Sequence, residues 1–524
     1  MSFSGRYVPL PGSDRAPLPG ARRVGEVDPS EPIEVTLILR PRQQLTAAHD
    51  FDQVGAAPPA GRRHLTREEL ATQYGASDDD IAAVQAFAAA HGLSIGAVDA
   101  AQRRMVLGGS AAAMKDAFQV DLGQYEAPGV RYRGREGEIQ VPEELRDVLV
   151  AVLGLDNRPA ARPHYRLRAQ AATGQELTPV QVARHYNFPQ DLDGSGQSIA
   201  IIELGGGFRV SDLTTYFREI GVTPGPVTAV SVDGGHNHPG KPNSADGEVM
   251  LDVEVIASIA TGASIAVYFA PNTTRGFVDA VSAAVHDTVR RPSVVSISWG
   301  SAEEANPAQL RDALGSVLQA AAAVGVTVCC ASGDDGSRDN TTDGRAHVDF
   351  PASHPFSLGC GGTSLAGPTE VAWNDGPTGG VTGGGVSELY PLPSWQANAG
   401  VPLNVNDQFR GRGVPDIAAN ADPQSGYRIR VDRVEMPIGG TSAVAPLMSA
   451  LIAMANQKLG RPVGFINPRL YGSLASTAAF HDITSGDNVA YQAGPGWDPC
   501  TGLGSPDGVQ FVNALTVPAV TATA

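Results

Sequence analysis

Between Ser198 and Ser332, five short runs of β-branched residues (SIAIIEL, VTAVSVD, SIAVYFA, SVVSISW and VTVCCAS) are separated by stretches with helical patterning at 210–221, 247–260, 274–287 and 307–325. No other feature limits the fold so tightly. Strands that alternate with helices form a mostly parallel sheet, and such a sheet is stable only with helices on both faces. The expected class is α/β, with functional residues near the carboxyl ends of the strands.

The chain of 524 residues is too long for one ordinary domain. Residues 1–30 are rich in Pro, Gly and Arg and read as a flexible arm. An α+β unit follows over 31–157, with a strand at Ile33–Arg40, a capping box at Thr66–Glu69 and a helix that Gly92 ends. RPAARPHYRLRAQAATGQ, from Arg158, reads as an exposed connector within 158–176. The α/β part occupies 177–524.

Charge supports the division. Through Ala171 there are 20 Lys and Arg against 22 Asp and Glu; beyond it, 18 against 33. A net charge of −17 argues against nucleic acid or an anionic membrane as partner. No run of about 18 apolar residues exists to span a bilayer, and the first residues lack the apolar core of a secretory signal. Four cysteines, Cys329, Cys330, Cys360 and Cys500, are too few for a disulfide scaffold and match no zinc spacing.

Chemistry concentrates at three places. In IGGTSAVAPLMSA (438–450), Ser442 stands between a Gly-Gly-Thr turn and a helical run. Such a serine commonly caps the helix; it also suits a nucleophile beside backbone N–H groups that stabilise an anion. A nucleophile needs a base. In DGEVMLDVEVIASIA (246–260), Glu248 and Asp252 are one helical turn apart on a helix that is otherwise apolar nearly all round. Two buried carboxyls so close share a proton and raise one apparent pKa. Asp334, in SGDDGS, follows the last strand-like run, where a turn-forming Asp is also common.

These residues, together with IIELGGG (201–207), VYFAPNTT (267–274), SVVSISWG (293–300), HVDFPAS (347–353), GRGVPDIAANADP (411–423) and AGPGWDPCTGLGSP (493–506), resemble the sedolisins, or serine-carboxyl peptidases, most closely the kumamolisin-like members. The resemblance covers the whole chain in order. It implies a subtilisin-like peptidase domain preceded by a ferredoxin-like prodomain that acts as folding aid and intramolecular inhibitor. By the same resemblance Ser442 is the nucleophile, Glu248 its base and Asp252 the residue orienting that base. Asp334 is the oxyanion-hole acid, with Glu203 and Trp299 extending the network behind Asp252. It also implies protein or peptide substrates, a monomer, an extracellular site of action, and a preference for a basic side chain near Asp349. One structural Ca²⁺ is implied at Asp482 and Asp498, with the carbonyls of Ile483, Gly494 and Gly496.

A glutamate base, with an unperturbed pKa near ~4.3 against ~6.5 for histidine, still accepts a proton in acid. An oxyanion-hole carboxyl donates only when protonated. Both point to activity at low pH. Two alternatives stand beside this. A subtilisin-type protease needs a histidine base, and none of the eleven histidines has that context; a catalytically inactive relative acting as a binding protein would have lost one of the four residues. His236 and His238 read as loop histidines rather than a metal pair. The glycine-rich 376–387 lacks the Lys of a phosphate loop and reads as a flexible cleft loop. Arg158, Arg162, Arg166 and Arg168 are expected to hold the connector against the acidic domain, to loosen below about pH 5, and to be cut between Arg166 and Glu176.

Overall fold

The computed structural model describes residues 5–168, 176–240 and 244–516, the side chains of residues 47 and 48 excepted. Seven strands run parallel in one sheet. Their spatial order is Val227–Ser231, Ser264–Phe269, Ser198–Glu203, Val294–Ile297, Thr327–Ala331, Leu358–Ser364 and Ile417–Asn420; Val371–Ala372 joins Leu358–Ser364 antiparallel.

Alternation along the strands builds two cores. Ile199 and Ile201 point to one face, where the helices Asp246–Ile259 and Val444–Leu459 cover them. Ala200 and Ile202 point to the other, under Thr274–His286 and Ala308–Ala323. The buried, nearly all-apolar helix expected at 246–260 is present, every residue of it buried.

The amino-terminal unit has its own core. Its antiparallel sheet runs in the order Ser94–Asp99, Arg104–Ser110, Pro32–Leu39 and Leu149–Leu153, with helices between the first and second strands in sequence and between the third and fourth. That is the ferredoxin-like β-α-β-β-α-β order. Ile38, Leu45, Phe51, Leu70, Ala151 and Leu153 leave this unit to complete the second core of the α/β domain, so the two units share apolar surface.

Two expectations fail. The flexible arm carries strands: Tyr7–Pro9 pairs with Gln140–Pro142, Arg22–Glu26 pairs with Leu122–Ala127, and Leu10 is fully buried. Its prolines and glycines serve the turns between short edge strands. The connector is not exposed either. Arg162–Pro163 pairs antiparallel with Trp299–Ala302, and Arg166–Leu167 with Val434–Gly439, so it lies as a strand across the carboxyl edge of the sheet. Main-chain pairing needs no apolar period of its own, which is why the arginine-rich sequence hid it.

Candidate active site

Three neighbouring strands deliver polar groups to that edge. Glu203 ends one strand, Ser298 and Trp299 follow the next, and Asp334 lies just past Thr327–Ala331. Glu248 and Asp252 approach from the buried helix, and Ser442 from a tight turn, Thr441–Ala443, ahead of Val444–Leu459.

Ser442 Oγ donates to Glu248 Oε2 at 2.9 Å and lies 3.3 Å from the Ser298 carbonyl. The capping alternative is thereby overturned: the serine side chain caps no helix, because its hydroxyl is committed to Glu248. A histidine base is also excluded by these partners. Behind Glu248, Asp252 is hydrogen-bonded to it and accepts Ser298 Oγ at 2.9 and 3.0 Å. Trp299 Nε1 donates to Glu203 Oε2 at 2.9 Å.

Glu203, Glu248 and Asp252 are all fully buried. Burial, then the neighbouring charges of Asp252 and Glu203, raises Glu248 well above the usual glutamate range. Burial, then Asp252, does the same to Glu203, and burial raises Asp252 against the hydrogen bonds from Ser298 and Glu248. Three carboxyls in so dry a place cannot all be charged, so the row holds shared protons.

Asp334 Oδ1 accepts the Thr441 N–H at 2.8 Å and its hydroxyl at 2.9 Å. Burial pushes the Asp334 carboxyl up to about 6; His164, Arg166 and the Thr441 bonds hold it from going higher. Asp334 Oδ2 has no hydrogen-bond partner among the described residues. A Cβ added at Gly440 would stand 2.3 Å from the His164 carbonyl oxygen and 2.6 Å from Asp334 Oδ2. The two oxygens therefore converge beside a glycine whose φ is +107°, a conformation that only glycine adopts freely.

What fills the site is the connector. His164 N–H donates to the Ser298 carbonyl at 3.1 Å, and the His164 carbonyl accepts the Ser442 N–H at 2.9 Å. The His164–Tyr165 bond thus lies against Ser442, with Asp334 Oδ2 and the Ser442 N–H around its oxygen. Numbered outward from that bond, Pro163, Arg162, Ala161 and Ala160 are P2 to P5, and Arg166 is P2′. His164 Nε2 lies 2.9 Å from Asp349 Oδ2, a fully buried carboxyl. Arg162 reaches Asp339 at 2.9 Å and Asp335 at 3.2 Å; Arg166 reaches Asp335 at 2.7 Å. Arg158 pairs instead with Asp156 and Arg168 with Glu176, so only two of the four arginines face acids of the cleft. The bond seated in the site precedes the expected cutting window, of which residues 169–175 lie outside the described residues.

Of the glycine-rich 376–387, residues 380–387 are packed rather than loose, while 376–379 remain exposed or half-exposed. Val381–Val386 is buried, Val381 N–H donates to the Asp334 carbonyl at 2.9 Å, and Gly383 N–H to Gly333 at 2.8 Å. His236 and His238 are exposed. The four cysteines are buried and free. Sequence reasoning missed Ser298, Thr441, Asp335, Asp339 and Asn272; proximity to SISWG, GGTS, SGDD and APNTT was the only signal.

The residues expected to hold calcium lie on two adjoining loops. Asp482 Oδ2 accepts the Gly496 N–H at 2.9 Å; Asp498 accepts Gly494, Cys500 and Thr501 N–H at 3.2, 2.8 and 2.9 Å. Carboxylates and glycine-turn carbonyls are oxygen donors of the kind calcium takes, although here both carboxylates accept backbone N–H groups. No group of three or more His, Cys, Asp or Glu side chains converges among the described residues, so carbonyls would supply the remaining ligands.

Comparison with known proteins gives the following. Residues 19–158 match the Pro-kumamolisin activation domain, and residues 230–494 the subtilase family. Kumamolisin of Bacillus sp. (strain MN-32) is 48% identical over 97% of this chain and 96% of its own length. Tripeptidyl-peptidase sed5 of Aspergillus fumigatus is 30% identical over 97% of each chain. The solved structure of Pseudomonas sedolisin, a serine-carboxyl proteinase complexed with two molecules of pseudo-iodotyrostatin, superposes with a TM-score of 0.59 at 28% identity, covering 65% of this chain and 98% of that one.

Proposed function

The chain belongs to the sedolisin family of serine-carboxyl peptidases, and on that premise we propose that it is an acid-active endopeptidase made as a self-processing zymogen. The observation that carries the reading is the seating of His164–Tyr165: its carbonyl accepts the Ser442 N–H while Ser442 Oγ is bonded to Glu248. Glu248 takes the Ser442 proton as Oγ attacks the carbonyl carbon, and Asp252 and Glu203 behind it stabilise the proton gained. The oxyanion receives hydrogen bonds from the Ser442 N–H and protonated Asp334. Glu248 returns the proton to the leaving Tyr165 amine, and water then releases the acyl group by the same route.

The peptide in the cleft continues beyond P3 in one direction and beyond P2′ in the other, which favours an endopeptidase over release of tripeptides from an N-terminus. Asp349, under the P1 side chain, favours a basic or histidine residue there. Residues up to 157 form the propeptide, 158–176 the linker and 177–524 the peptidase, an extracellular monomer; among the described residues no helix is long and apolar enough to cross a membrane.

Proteolysis by wild type and the Ser442→Ala, Glu248→Ala and Asp334→Ala zymogens, followed by mass spectrometry across about pH 2–8, tests the reading. The wild type should cut itself after His164 below about pH 6, and the variants should stay whole. Maturation of Ser442→Ala at the normal rate would refute self-processing.

A structural Ca²⁺ at Asp482 and Asp498 would tie the two loops together and take no part in the reaction. Complete chelation should lower the melting temperature by several degrees, as loss of a ligand that binds only the folded state does. Unchanged melting after verified metal removal rejects the ion.

A further inference from the structure

Beyond P3 the peptide in the cleft meets one side chain that reads only main chain. Asn272 stands in the turn between the strand Ser264–Phe269 and the helix Thr274–His286, with Pro271 before it and Thr273, the helix cap, after it. Its Oδ1 accepts the N–H groups of Ala160 and Ala161 at 3.0 and 3.1 Å, and its Nδ2 donates to the Ala161 carbonyl at 2.7 Å. The Ala160 carbonyl accepts Ser301 Oγ at 3.2 Å. Every main-chain polar group of P4 and P5 is thus bonded to the peptidase; the only side-chain contribution is the small methyl of Ala161, packed at the edge of the second core.

We propose that Asn272 is a specificity-determining residue that measures substrate length: its amide clamps the P4–P5 backbone of any peptide and makes the enzyme favour chains that extend past P3. The inference rests on the linker lying in the cleft as a substrate does. A planar amide pairs an NH2 donor group with a carbonyl acceptor, the same kinds of group a peptide backbone presents, so its hydrogen bonds do not read side chains. A substrate whose amino terminus is at P3 leaves both halves of this half-buried amide to water and forgoes the hydrogen bonds that a longer chain makes.

The test uses the mature enzyme and peptides built on the linker: acetyl-AARPHYRL, the same peptide N-methylated at the P4 nitrogen, and RPHYRL with a free amine at P3. Wild type should cut the long peptide with kcat/KM at least about tenfold above the short one, as two or three neutral hydrogen bonds imply. N-methylation should remove several-fold of that advantage. In Asn272→Ala the long and short peptides should come within about twofold, and N-methylation should have no effect. Asn272→Asp, which keeps the acceptor and loses the donor when ionised, should fall between. Should Asn272→Ala fail to fold, indifference of the wild type to P4 N-methylation would by itself overturn the proposal, as would an undiminished length preference in a folded Asn272→Ala. If neither peptide is cut between His and Tyr, the fault lies with the proposed function instead.

Discussion

At the scale of single residues, Asp334 sets the expected upper pH limit. It donates a hydrogen bond only while protonated, so its contribution is present below about 6 and lost as pH rises through that value. Thr441 bonds the ionised form through N–H and hydroxyl, which lowers the pKa. Thr441→Val removes the hydroxyl donor, so the alkaline limb of kcat should move upward, by up to about one pH unit. Asp334→Asn should lose that limb, since an amide does not ionise, and Asp334→Ala should cost about 10²–10³ in kcat. A pH profile of Thr441→Val superimposable on wild type would detach the limb from Asp334. Glu248 and Asp252 were legible because paired carboxyls on an apolar helix are chemically conspicuous; Ser442 and Asp334 also read as a cap and a turn, and only the resemblance gave them their roles. Ser298, Thr441 and Asn272 were not: they act through neutral hydroxyls and an amide that occur on every surface.

At the scale of elements, the turn that carries Ser442 is tightly constrained. Gly440 leaves the strand Val434–Gly439 at positive φ, its N–H donates to the Ala421 carbonyl, and the chain tightens into Thr441–Ala443 before the helix begins. Gly440→Ala should be doubly costly. The added carbon meets Asp334 Oδ2 and, in the zymogen, the carbonyl oxygen of the bound peptide, and the backbone conformation is strained. Activity should fall by at least about a hundredfold, comparable to loss of an oxyanion donor, with about 1–3 kcal/mol of overpacking cost read in denaturant titration. Wild-type kcat/KM in Gly440→Ala would show that the oxyanion region is wider than the geometry allows. The parallel sheet and its covering helices were readable because each had its period. The strand made by the linker was not, because its partners are the edges Trp299–Ala302 and Val434–Gly439, more than a hundred residues away.

At the scale of the whole molecule, the pH trigger takes a different form from the one that charge counts suggest. Arginines of the linker facing an acidic domain imply attraction that weakens in acid, yet the carboxyls buried under the linker say otherwise. Burial raises Asp334 to about 6, Asp339 to about 7 and Asp349 well above the usual range. If departure of the linker admits water to them, each returns toward its ordinary value near ~3.9. A carboxyl whose pKa is higher when docked takes up a proton on docking, so between about pH 7 and pH 4 these groups bind the linker more firmly as pH falls. The linker's own cations work in the opposite sense, Arg162 beside Asp339 and Asp349, Arg166 beside Asp334, and both against Asp335; at the three buried carboxyls burial is the larger cause, and the Asp335 pairs are partly exposed and weak. On the proposed function, acid would arm Asp334 first, cleavage would follow, and release would come after cleavage because two separate chain ends no longer share the entropy of one docked strand. A Ser442→Ala zymogen shifted from about pH 7 to about pH 4 should stay closed. Amide exchange at 162–168 and 434–439, corrected for intrinsic rates, should remain protected, while the active zymogen loses protection in step with the appearance of the His164–Tyr165 cut. Opening of Ser442→Ala at the lower pH would reverse the order and return the trigger to lost attraction.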